Sequence, residues 1–350
     1  MKTTTQTPSE SGGRGRRATR RSRWLVMVAA AAIPATGCDP ADRLTNVTAV
    51  QSFSARGSAV SGEPEIFAPG VISDDRWQWR LTFTPNGKTA YFAVSDGFFP
   101  QTRQATIHLS HRRKDGTWTA PTVAPFAGVH SDMDPFITMN GRRLYFSSNR
   151  PVDGVPKADF DIWFVERTRK GWSEPIHAGP AVNSDLDELY ASATAFGRLY
   201  FASGPIAPTP EADWNIYTAR RAGRFFAPRE PLDAINTDLP FDPNDPTADW
   251  EFNPEISKNG RALIFASLRP GGHGFGDLYV SCLRHGRWTA PLNVGPPVST
   301  ADDDFHPTLS RDGRTLYIAR TVSAPAFAPS DFYSVPTAAL DVDVRRCRHR

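Results

Sequence analysis

The stretch "DMDPFITMNGRRLYFSS" (132–148) holds two short apolar runs divided by Asn140-Gly141. Asn-Gly tolerates the positive φ angles of a tight hairpin, so the sequence predicts two antiparallel strands here. A lone two-stranded hairpin is marginal in water, and these strands therefore need partners.

The partners are copies of the same pattern. It returns as "LTFTPNGKTAYFAVS" (81–95), "LYASATAFGRLYFASG" (189–204), "PEISKNGRALIFASL" (254–268) and "PTLSRDGRTLYIAR" (307–320). The turn glycines Gly87, Gly141, Gly197, Gly260 and Gly313 are spaced by 54, 56, 63 and 53 residues. The long interval contains a Pro/Asp-rich insertion, "LPFDPNDPTAD" (239–249), which reads as loop. Each hairpin is followed by a third apolar-aromatic segment, as in "FDIWFVER" (160–167) and "GDLYVSCLR" (276–284). A Gly-aromatic-Pro cue such as "KGWSEP" (170–175) or "GRWTAP" (286–291) follows four of the five.

Four strands per repeat at this period is the signature of a β-propeller blade. One blade has two apolar faces and buries both only by stacking radially against its neighbours. The fold class is therefore all-β, a propeller of five four-stranded blades. The fifth repeat ends at its third strand, Asp331 to Val335, and its missing fourth strand lies at the other end of the chain. "SGEPEIFAPGVISD" (61–74) mirrors "WSEPIHAGPAVNSD" (172–185), which predicts that the N-terminal strand completes the last blade. The alternative donor is "AALDVDV" (338–344).

The repeat P-x-[IL]-S-x-[ND]-G-R-x-L-Y-F-x-S, followed by D-[IL]-[WY] and G-x-W-[ST]-x-P, resembles the WD40-like β-propeller repeat of the TolB family. The resemblance covers residues 63–336. It implies a propeller fold and a role in the bacterial cell envelope; no attached peptidoglycan-binding domain accompanies it here. Fold alone does not dictate function, because propellers host binding roles and some enzymes.

Ahead of the repeats stands a targeting segment. Seven cations (Lys2, Arg14, Arg16, Arg17, Arg20, Arg21 and Arg23) precede the apolar run Trp24–Ile33, and small residues then lead to Cys38. This is the order of an export signal, and a cysteine at its cleavage point resembles a lipoprotein acceptor. An ordinary signal peptide with an incidental cysteine is the alternative. Residues 1–37 read as signal, 38–60 as tether, 61–336 as propeller and 337–350 as a basic tail. The expected location is the periplasmic or cell-surface side of a bacterial membrane, with membrane contact through the lipid anchor only.

The seven cations against Glu10 give residues 1–37 a charge of +6; the whole chain is +3, which leaves −3 for the remainder. Nothing in that balance suggests nucleic-acid binding. Cys282 and Cys347 are left after Cys38. In an oxidising compartment they are candidates for a disulfide, with two free thiols as the alternative.

Two sets of polar residues recur. Asp161, Asn215, Asp277 and Asp331 open third strands, and their uniformity suggests a turn-forming role. Arg80, Asp134, Asn253 and His306 precede the innermost strands and are all different, as a binding constellation requires. Glu188 is added to them for the third blade, on the expectation of a one-residue-longer turn before Leu199. These five are the candidate ligand-binding residues at one mouth of the channel. Long loops joining second and third strands should share that face. Trp77, Trp79, Trp250 and Phe305 lie nearby and could stack on a ligand, with packing between blades the better reading.

"GGHGFG" (271–276) lacks the following helix of a dinucleotide loop, and the eight histidines show no metal-binding spacing. No cofactor or metal is expected. The function expected is non-catalytic binding of an envelope protein, peptide or glycan. The alternative is a five-bladed glycoside hydrolase using Asp134 and Glu188.

Overall fold

The computed structural model describes residues 62–98, 101–207, 213–322, 328–340 and 347. The proposed signal, the tether and Cys38 lie outside them, as does most of the basic tail. The described residues belong to one compact unit, Ser58–Arg350.

Five antiparallel sheets form the blades of a propeller. Their innermost strands are Trp77–Phe83, Asp132–Ile137, Asp187–Ala193, Glu251–Ile256 and Asp303–Leu309. Each pairs with a second and then a third strand, and a two-residue outer strand ends the blade. The third strands of blades two to five open at Asp161, Asn215, Asp277 and Asp331. Asp277 accepts the His273 backbone N–H of its own loop, as expected of a turn former. Asp161 instead faces Lys157 and His177 at 3.3 and 3.2 Å.

The hydrophobic core lies between the blades. Phe136, Phe164, Phe201 and Leu199, from blades two and three, share one buried cluster; Tyr200, Phe265 and Ile256 from blades three and four share the next. The alternation of large and small residues in the second strands suits this. In "RLYFSS" and "ALIFAS" every residue is buried, because both sheet faces are covered.

The N-terminal strand closes the ring. Glu65–Ile66 pairs antiparallel with the third strand of blade five, Glu65 opposite Ser334 and Ile66 opposite Tyr333. The outer position is thus taken by the N-terminal strand; of the alternative donor, Ala338–Ala339 belong to a 3₁₀ turn and residues 341–344 lie outside the described residues. Two serines reinforce the seam. Ser73 Oγ receives the Phe332 N–H at 3.0 Å, and Ser330 Oγ receives the Gln78 N–H at 3.1 Å while donating to the Gln78 carbonyl at 2.6 Å. Cys282 and Cys347 form a disulfide with Cα atoms 5.1 Å apart.

The opening hairpin differs from expectation in its turn. Only Gly141 takes a positive φ, +67°, and its N–H bonds the Thr138 carbonyl at 2.7 Å. Asn140 contributes through its side chain instead, accepting from Thr138 Oγ1 at 2.9 Å and from the Arg142 N–H at 3.0 Å. The turn is thus a type I-like reversal ending in a left-handed glycine.

Because Ser330 is buried and serves two backbone groups across the seam, Ser330→Ala should destabilise the fold by about 1–3 kcal/mol. Urea unfolding monitored by tryptophan fluorescence measures this; an unchanged midpoint would show that the seam does not limit stability.

Candidate functional site

Every innermost strand carries the same defect. Between Trp79 and Thr82, Met133 and Phe136, Leu189 and Ser192, Phe252 and Glu255, and Phe305 and Thr308, the register slips. In each slip one extra residue is accommodated by a β-bulge. The bulged residues are Arg80, Asp134, Tyr190, Asn253 and His306, with φ between 46° and 62°. Left-handed φ is uncommon outside glycine, and five equivalent instances in one ring mark a recurrent architectural device within the chain.

The structure therefore puts four of the five expected residues on equivalent bulges and replaces the fifth, and three of those four, Asp134, Asn253 and His306, line a common cavity. Tyr190, not Glu188, is the equivalent in blade three. The turn there is one residue shorter than the others, not longer: Thr194 pairs with Arg198, whereas Thr138 pairs with Arg143. Counting from the turn glycine finds the position directly, since each bulged residue stands seven before it.

Glu188 belongs to a second, structural ring two residues earlier. Asp132, Glu188, Glu251 and Asp304 are ion-paired to Arg150, Arg229, Arg269 and Arg320 at 2.5–2.9 Å. Glu188 also accepts from the Ser184 N–H at 2.8 Å, Ser184 Oγ at 2.6 Å and Ser203 Oγ at 2.8 Å. Its carboxylate is fully occupied inside the blade.

Arg80 is wholly buried and spans the axis of the ring. Its guanidinium pairs with Glu255 of blade four at 2.9 Å and approaches the Ala191 and Pro254 carbonyls at 3.5 Å. Burial alone would lower the Arg80 pKa, and Glu255 opposes that. The other bulged residues lie in the wall of a cavity of about 300 Å³. Asp134, Tyr190, Asn253 and His306 belong to its polar lining, together with Ser95, Gln104, Asp187 and Thr247. Its apolar wall comes from Trp79, Phe252 and Phe305 of the inner strands, with Trp214 and Trp250 beside them. Phe98, Ile206 and Phe275, from loops joining second and third strands, complete the rim. Three of the four aromatic residues singled out in the sequence thus line the cavity; Trp77 instead stacks behind Trp79 at 5.6 Å.

The polar part is under-satisfied. The Asn253 side-chain oxygen accepts the His306 N–H at 3.1 Å, which leaves its amide nitrogen without a partner. Both Asp134 carboxylate oxygens, His306 Nδ1 and the indole nitrogens of Trp79 and Trp250 also lack hydrogen bonds of ordinary geometry. His306 Nδ1 stands 3.7 Å from Asp134 Oδ1. Burial holds His306 neutral, far below the usual imidazole range, and nearby Arg80 adds to the effect. Burial lifts Asp134 to about 7, against the pull of Arg80 and the Tyr190 N–H. Buried polar atoms are normally paired, so a concentration of unpaired ones on residues that line a cavity points to this region as a candidate place for a ligand's own polar groups. Among the described residues no group of His, Cys, Asp or Glu is arranged to hold a metal ion.

No protein-family model and no curated protein matches this chain. Solved structures do. A BT0996–RGII complex is 11% identical over 79% of this chain and 92% of that one, with a TM-score of 0.51. An endo-arabinase from Bacteroides thetaiotaomicron is 14% identical over 77% and 96%, with a TM-score of 0.48. TolB from Acinetobacter baumannii is 13% identical over 75% of this chain, with a TM-score of 0.42, and this chain covers 54% of it. The chain thus spans about half the length of that TolB. At these identities the likeness is one of fold.

Asp134, Glu255 and Asp303, raised to about 7, and Asp304, raised to about 6, set a pH dependence that His306, lowered by burial, partly opposes. The unfolded carboxyls ionise first, so the folded state binds more protons and stability should fall as pH rises from about 4 to about 7. Asp134→Asn should flatten part of that slope. Urea unfolding across this range measures it; an identical slope in the variant would remove Asp134 from the account.

Proposed function

We propose that this propeller is a non-catalytic binding module of the bacterial envelope, exported and held by a lipid on Cys38, that takes a protein, peptide or glycan ligand at its aromatic mouth. The observation that carries the reading is the pairing of an aromatic wall with under-satisfied buried polar groups on the residues that line one cavity of about 300 Å³. Aromatic faces cover apolar surface, while Asp134 accepts and the indole and amide N–H groups of Trp79, Trp250 and Asn253 donate. A sugar ring or a polar-aromatic peptide side chain presents this mixture. Export and anchoring are supported by the order of cations, apolar run, small residues and Cys38. Among the described residues no helix is long and apolar enough to cross a membrane.

Hydrolysis by Asp134 and Glu188 is less well supported. A glycosidase needs two carboxyl groups flanking one bond. Glu188 is buried, committed to Ser184, Ser203 and Arg229, and absent from the cavity lining. Asp187 does reach the cavity, but Arg103 grips both its oxygens at 2.8 and 2.9 Å.

Screening the protein against glycan and peptide arrays should identify a ligand. Asp134→Asn and Trp250→Ala should each weaken its binding about tenfold or more, the loss of a charged hydrogen bond or of a stacking face. Thermal unfolding measured alongside separates a site effect from a folding effect. Full-strength binding by both variants would place the site elsewhere.

A further inference from the structure

The face opposite the aromatic mouth has a charge pattern of its own. In an antiparallel blade the first–second and third–fourth turns lie at the same end, so nine such turns share one face. Those between first and second strands read "NGK" (86–88), "NGR" (140–142), "FGR" (196–198), "NGR" (259–261) and "DGR" (312–314). Those between third and fourth strands read "RRKDG" (112–116), "RTRKG" (167–171), "RRAGR" (220–224) and "RHGR" (284–287). Every turn contributes at least one cation, and most are exposed. Within these nine turns the acids are Asp115 and Asp312, with Glu166 adjoining. Among the turns Arg224 pairs with Glu166 and Arg314 with Asp312; at the mouth end Arg76 pairs with Asp74, Arg103 with Asp187 and Lys157 with Asp159. Further acids there, such as Asp75, Asp185, Asp242 and Asp245, are exposed or nearly so. A chain that is mildly acidic outside its signal therefore presents one basic face.

Two further features distinguish this face. Phe196, at the tip of a blade-three turn, is 88% exposed, and Phe225 of the neighbouring turn is 45% exposed. Phe196 and Met139 also border an open hollow of about 520 Å³ among the turns, with Lys258 and Arg311 in the same lining. Second, the first described residue of the propeller lies on this side. The outer strand Glu65–Ile66 runs antiparallel to Asp331–Pro336, whose end reaches the turns, so Gly62 stands at the turn face, with Ala339 3.4 Å from where its Cβ would be.

We infer that the turn face docks on an anionic bilayer surface, with its cations against lipid headgroups, Phe196 in the interfacial zone, and the aromatic mouth directed away from the membrane. A basic cluster is attracted to anionic lipid by about 1 kcal/mol per cation near the surface, within a Debye length of about 8 Å at physiological salt. An exposed phenylalanine among cations is what an interface favours and a purely polyanionic partner does not require. The first described residue, Gly62, lies on the same side as these cations. The inference is independent of what the mouth binds.

The test uses the compact unit Ser58–Arg350, in which the propeller closes on itself and which lacks both the apolar run and Cys38, so that the face alone is probed. Flotation is measured with vesicles of phosphatidylcholine and of phosphatidylcholine mixed with phosphatidylglycerol. Binding is expected to the mixed vesicles only, and to weaken steeply with added salt. Combined reversal at exposed sites (Lys114→Glu, Arg169→Glu, Lys170→Glu and Arg287→Glu) should weaken it by at least about tenfold. Phe196→Ser should weaken it severalfold with thermal unfolding unchanged. Equal binding to neutral vesicles, insensitivity to both variants, or capture of heparin or duplex DNA without vesicle binding would overturn the inference.

Discussion

A propeller blade is apolar on both faces, and no blade is stable until its neighbours cover it. The whole structure therefore depends on closing the last gap, and the chain closes it with two residues, Glu65 and Ile66, laid against Tyr333 and Ser334. So short a strand supplies little on its own. The closure is made effective by Ser73 and Ser330, which tie the first and last blades through backbone groups that would otherwise be buried without partners. Around the ring, the side chain two residues past the bulge performs a related service in four of the five blades. Thr82, Ser192 and Glu255 each accept an N–H from the next blade, at Ile137, Ile256 and Leu309. Thr308 hands on to blade one through the Leu81 carbonyl.

The same geometry produces the site. A bulge turns one side chain per blade out of the regular alternation and toward the axis, at the cost of a left-handed backbone. The scaffold needs the bulge but not any particular side chain on it. That freedom lets Arg80, Asp134, Tyr190, Asn253 and His306 be five different residues in five equivalent places. The structural ring beneath is held to one chemistry, acid with arginine, in four blades. Blade one departs from it: Gln78 takes the acid's place and bonds Asp74.

Much of this is legible in the sequence. The five hairpins, their turn glycines and the mirrored Glu-Pro and Ser-Asp segments identify the blades and their closure, because strand alternation and turn chemistry are local. Register across a bulge is not local. Counting through a turn of misjudged length puts Glu188 at the mouth, and the periodicity of the strand gives no warning that a residue is inserted. Trp79, Trp250 and Phe305 are ambiguous for a different reason. An aromatic side chain between blades and one lining a cavity obey the same apolar pattern, and only the three-dimensional lining of the cavity tells them apart. The charge of the turn face is present in the letters but hidden, because net charge sums over surfaces that the fold separates.

Arg80 has a consequence for any ligand. Reaching from blade one to Glu255 in blade four, it stoppers the central tunnel and makes the mouth a blind cup. A polymer cannot thread such a molecule or be released from its far side. It can only present an end, a loop or a side branch, and must withdraw the way it came. On the proposed reading, what enters is a terminus or a protruding group, and the buried Arg80–Glu255 pair lies behind the cavity.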